Sequence, residues 1–142
     1  MIEANSHRYS TTKVSGATQA RSACRLGDVE AVEDFLAVGK DVNMRDAEQR
    51  TPMHFAAAYN QVEIAKTLLE AGADLKATDT KNNAPLHIAA GYGRTEMVEA
   101  LLQAGADIKA QNDNGKTPKD LVGMNEQNPI MQNEELLQKL AV

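Results

Sequence analysis

The side chains with the greatest capacity for chemistry in this chain are His54, His87 and the single cysteine, Cys24. His54 sits in Thr51-Pro52-Met53-His54-Phe55-Ala56-Ala57, and His87 in Ala84-Pro85-Leu86-His87-Ile88-Ala89-Ala90, 33 residues later. An imidazole can ligate a metal, move a proton, or join two backbone groups through its two nitrogens. Ligation needs further His, Cys or carboxylate ligands at close spacing, and proton transfer needs a paired nucleophile. Neither pattern accompanies these histidines, and there is no Gly-rich phosphate loop. A histidine recurring at one repeat position is expected instead to tie neighbouring turns together by hydrogen bonds. Cys24 aligns with Ala57 and Ala90 in the same period, which marks a small buried hydrophobe rather than a reactive thiol. These residues point away from catalysis, metal and cofactor.

The elements that carry them repeat with the same period. Leu68-Leu69-Glu70-Ala71-Gly72-Ala73-Asp74 returns as Leu101-Leu102-Gln103-Ala104-Gly105-Ala106-Asp107. Going backward, Ala23-Cys24 falls under Ala56-Ala57, Phe35-Leu36 under Leu68-Leu69, and Gly39 under Gly72. Going forward, Lys116-Thr117-Pro118 opens a fourth unit whose Leu136-Leu137 pair arrives late, with the excess around Asn128-Pro129. The expected division is a flexible polar tail over residues 1–16, then units over about 17–50, 51–83, 84–116 and 117–142. Degenerate outer units fit a stack, because they bury one face and inner units bury two. Each unit reads as two short helices and a projecting turn. Pro52 suits a first helical turn and Asn60 a break. Residues 63–71 form a second helix burying Ile64, Leu68 and Leu69, with Gly72 as a left-handed stop. Gly123, Pro129 and the late leucines predict fraying of the last unit.

These residues resemble the ankyrin repeat over residues 17–142. The resemblance implies an all-α solenoid of helix-turn-helix units with short β-hairpin loops. It also implies a monomeric, non-catalytic module, an adaptor, scaffold or inhibitor, that binds another protein through its concave groove and hairpin tips. Departures from the pattern are Ala84 for the usual Thr, Asn60 for the usual Gly, and Lys119-Asp120 for the apolar-His pair. The run over residues 81–94, ending Gly91-Tyr92-Gly93-Arg94, is also similar to plant ankyrin-repeat chaperones of chloroplast outer-envelope proteins. That likeness implies membrane lipid headgroups as the alternative ligand, with Tyr92 and Arg94 involved. Arg21 and Met44 stand near the places of the groove His and acidic partner of those chaperones.

Repeat geometry places a partner-binding surface on the tips and the exposed side of each first helix. Tyr59 and Tyr92 share one repeat position and are expected side by side as aromatic anchors. Arg45, Arg50, Lys81 and Lys116 cluster at the same edge, with Arg94 nearby, while Glu63, Glu70, Glu96 and Glu99 fall on the second helices. A basic groove of this kind suits an acidic peptide or an anionic headgroup, although the chain as a whole carries a formal charge of -5. That total argues against nucleic acid as a partner. The lone cysteine fits a reducing compartment, cytoplasm or nucleus, and no apolar run is long enough to span a bilayer.

Overall fold

The computed structural model describes residues 15–141. The expected tail lies outside them apart from Ser15 and Gly16, which cap and open the first helix. The helices come in pairs: α1 (Gly16–Leu26) with α2 (Val29–Ala37), α3 (Pro52–Ala58) with α4 (Val62–Glu70), and α5 (Pro85–Gly91) with α6 (Thr95–Gln103). The last pair is α7 (Pro118–Gly123) and α8 (Glu134–Ala141), separated by a 3-10 turn over Pro129–Gln132. First helices stack in one row, α1 on α3 on α5 on α7, and second helices in another, α2 on α4 on α6. The chain is thus a helical solenoid.

Local chemistry sets the helix boundaries. Pro52, Pro85 and Pro118 each begin a helix, where a missing N–H goes unneeded. Ser15 Oγ accepts from the Thr18 N–H at 3.1 Å and Asp28 Oδ1 from the Ala31 N–H at 3.0 Å, satisfying donors that a helix start leaves open. Within each of the first three pairs the chain reverses through one left-handed residue: Gly27, Asn60 and Gly93, with φ of 69°, 58° and 71°. Ala56, Ala57, Ala89 and Ala90 are fully buried and let the first helices approach closely, while Ile64, Leu68, Met97, Val98 and Leu101 fill the space beneath them. Burying each larger aliphatic side chain contributes about 1.5–3 kcal/mol. Leu69, expected in the core with Leu68, is only half-buried, because it lies about 100° from Leu68 around α4, at the edge of the buried stripe.

Asn60 is the one misfit among the three reversals. Its Oδ1 is buried without a hydrogen-bond partner, and its backbone sits where a side chain is disfavoured. Asn60→Gly is expected to raise the unfolding free energy by about 1 kcal/mol, since it removes the orphaned acceptor and the left-handed cost together. A urea midpoint that is unchanged or lower would contradict this.

The projecting loops are hairpin turns; no strand occurs among the described residues. Asp46, Asp79 and Asn112 each donate their N–H to the carbonyl four residues on, at 3.0 Å in every case. The side-chain oxygens of the same residues accept two further N–H groups inside the turn. Neighbouring tips are joined by single backbone bonds, Thr80 N–H to the Glu48 carbonyl and Asp113 N–H to the Lys81 carbonyl, each 3.0 Å.

The last unit is packed rather than frayed. The 3-10 turn absorbs the excess residues, so that Ile130, Leu136 and Leu140 enter the core. Asn128, 2 % exposed, donates from Nδ2 to the Ala90 carbonyl at 2.7 Å and accepts the Ile130 N–H at 3.0 Å. One buried amide thereby fastens the inserted turn to α5.

Candidate functional site

His54 and His87 are buried and use both ring nitrogens for structure. His54 Nδ1 accepts from the Thr51 N–H at 3.1 Å and lies 2.9 Å from Thr51 Oγ1, while Nε2 donates to the Asn83 carbonyl at 2.8 Å. His87 repeats the arrangement, with the Ala84 N–H at 3.1 Å on Nδ1 and the Lys116 carbonyl at 3.0 Å from Nε2. A carbonyl can only accept, so the proton resides on Nε2 in both rings. Burial pushes both imidazoles below the ordinary histidine value, which keeps them neutral. Each ring closes its unit by joining the start of a first helix to the far side of the following hairpin. No nitrogen remains for substrate or metal. Cys24 is equally withdrawn: it is fully buried, and burial raises its thiol to about 12.

The histidine position has a different occupant in each outer unit. Counting back 33 residues from His54 gives Arg21, and counting on from His87 gives Asp120. Asp120 keeps half of the arrangement, accepting the Thr117 N–H at 3.0 Å through Oδ2. Arg21 keeps none of it. Its guanidinium turns to the surface beside Tyr59, whose side chain raises its pKa above the ordinary arginine value.

That side chain borders a cavity of about 290 Å³ running across α1, α3 and α5. Arg21, Arg50, Tyr59, Tyr92 and Arg94 surround it, over a floor that includes Phe55 and Ile88. Tyr59 and Tyr92 are the C-terminal caps of α3 and α5, which explains their shared orientation. Tyr59 is half-buried and Tyr92 is 63 % exposed. Arg94 donates from Nε to the Ala58 carbonyl at 3.1 Å, satisfying an acceptor at the end of α3, and its guanidinium lies 5.8 Å from the Tyr92 ring centre. Arg50 lies 5.2 Å from the Phe55 ring centre and pairs with Asp46 at 2.8 Å and Glu48 at 3.5 Å. Burial opposes the charge on Asp46, but bonds from Arg50 and Glu48 prevail and hold its carboxyl below the usual carboxylate value.

A three-copy family model for ankyrin repeats matches residues 19–118, most of the chain. The protein belongs to the ankyrin-repeat family. No curated protein matches it. Ankyrin repeats are generally protein–protein interaction modules and are typically non-catalytic. Among the described residues no helix is long and apolar enough to cross a membrane, and no group of three or more His, Cys, Asp or Glu could hold a metal ion.

In this ankyrin stack the residues expected to bind a partner divide into two sets. Arg50, Tyr59, Tyr92 and Arg94 meet at one cavity. Arg45, Lys81 and Lys116 lie along the tips instead. Arg45 is exposed, with Nη1 donating to the Thr78 carbonyl of the next loop at 2.9 Å. Lys81 is exposed, and its carbonyl receives the neighbouring tip's Asp113 N–H. Lys116 is half-buried, and its carbonyl is the acceptor for His87. The groove residue that composition and motif reading left out of the site is Arg21. The signal for it was available in the repeat register, because an arginine at a histidine position cannot make the same paired bonds.

Proposed function

We propose that this ankyrin-repeat protein is an adaptor, scaffold or inhibitor that holds a partner protein in the groove across α1, α3 and α5. It acts as a monomer in the cytoplasm or nucleus. The observation that carries this reading is the pairing of Tyr59 and Tyr92 at one cavity, with the larger part of Tyr92 open to solvent. A tyrosine so placed offers a rigid ring that excludes water when covered and a hydroxyl that remains hydrated. A few such residues usually dominate an interface.

The test is crosslinked capture from source cells by wild type, Tyr92→Ala and Tyr59→Ala/Tyr92→Ala, with thermal melts of each. Tyr59 packs partly on the core, so the single change at exposed Tyr92 guards against loss through unfolding. A partner bound by wild type is expected to lose roughly thirtyfold in affinity or more with the anchors removed, about 2 kcal/mol. Equal capture by all three proteins would move binding away from the groove.

A further inference from the structure

We propose that the groove is built for an acidic segment of the partner, with an aspartate or glutamate carboxylate received by Arg21 and Arg94. The proposal rests on the groove reading above and names its chemistry. Three guanidiniums border the cavity, but they are not equivalent. Arg50 is paired with Asp46 and Glu48, whose charges also reach Arg21 without forming an ion pair with it. Among the described residues Arg21 and Arg94 are in no ion pair. Arg94 commits Nε to the Ala58 carbonyl, which fixes the fork in place and leaves its Nη donors without an acceptor among the described residues. Arg21 stands at the position that the histidines hold in the inner units, and its side chain is exposed beside Tyr59. The positive charge here is local. The chain totals -5, and Glu63, Glu70, Glu96 and Glu99 are exposed on α4 and α6, away from the cavity.

The same geometry favours a carboxylate over a phosphate. Tyr59 and Tyr92 mark the C-terminal ends of α3 and α5, where helix dipoles place partial negative charge. That field opposes a dianion more than a monoanion. Arginine forks match a planar carboxylate edge to edge. Among the described residues no lysine borders the cavity, and Phe55 with Ile88 supplies an apolar floor for the residue beside the acid.

The experiment titrates isotope-labelled protein with a short peptide alternating glutamate with leucine, up to millimolar concentration. The readouts are the Arg21 and Arg94 side-chain N–H resonances. The same peptide with glutamine for glutamate, inorganic phosphate, and phosphatidylglycerol vesicles are titrated in parallel. The glutamate peptide is expected to shift both arginines. Its affinity is expected to fall about tenfold with Arg21→Glu, a change at an exposed position whose thermal melt checks the fold, and to recover in part with Arg94→Lys relative to Arg94→Gln. Rising salt is expected to weaken it. Equal response to the two peptides, no response to the glutamate peptide, or binding to phosphate or vesicles alone overturns the proposal. Partner capture that requires Tyr92 but is indifferent to Arg21→Glu would overturn the acidic ligand and leave the groove standing.

Discussion

His54→Ala is expected to lower the unfolding free energy by about 3–5 kcal/mol, a large share of what holds a domain of this size together. The imidazole is 2 % exposed, so its removal leaves space in the core. It also leaves the buried Thr51 N–H without its acceptor and removes the ring's contacts with the Thr51 hydroxyl and the Asn83 carbonyl, which keeps the Asp79 N–H. His54→Gln separates the two roles of the ring. A glutamine three residues into a helix can still accept the Thr51 N–H in the manner of a capping box, so its cost should be about half that of alanine. Chemical denaturation at pH 7 measures both. The deficit has a definite pH dependence. Burial places the folded pKa of His54 below its ordinary value of 6.5, so below that pH the unfolded chain takes up a proton that the folded chain refuses. The stabilisation is therefore complete above pH 6.5 and declines on acidification toward the folded pKa. The wild type should lose stability between pH 7 and 5, and the gap between it and His54→Ala should narrow. A gap that widened in acid would show that the ring is charged in the fold.

Gly93→Ala is expected to cost about 2–4 kcal/mol. A Cβ there would stand 2.5 Å from Pro129 Cδ and 3.0 Å from Asn128 Oδ1, so the inserted turn must move, and the Asn128 bond to Ala90 with it. The matching change Gly27→Ala meets only the flexible Gln61 amide, at 3.1 Å, with φ nearly the same at 69°. It should show the left-handed backbone cost alone, about 1 kcal/mol. Comparing the two by urea unfolding isolates the seating of the last unit. Equal costs would mean that the turn over Pro129–Gln132 shifts freely and seals nothing.

Most of the frame was readable from period alone. The prolines, the small alanine pairs and the left-handed glycines each impose one local geometry, and each recurs with the 33-residue spacing. The repeat rule extended correctly to the two histidines, whose bonds need only backbone partners that every unit supplies. It misled at the last unit, because an insertion reads as a defect until its residues are seen to be complementary to a neighbour. The fit of Asn128 and Pro129 against Gly93 is a long-range property with no local signature. The site divided for a similar reason. Tyr59 and Tyr92 follow from helix register, whereas the different roles of Arg21, Arg50 and Arg94 depend on which carbonyl or acid lies within reach, and spacing does not encode reach.

The hairpin turns have one further consequence. Their closing bonds come from backbone atoms and from Asp46, Asp79 and Asn112, all behind the tips. The outermost side chains Ala47, Thr80 and Lys81, Asp113 and Asn114 take no part in the bonds that close the turn, and Glu48 adds only an exposed ion pair with Arg50. Recognition along this edge can therefore be rewritten residue by residue while the chain remains folded at every step. A lineage, or a combinatorial library, can move from one partner to another by such substitutions.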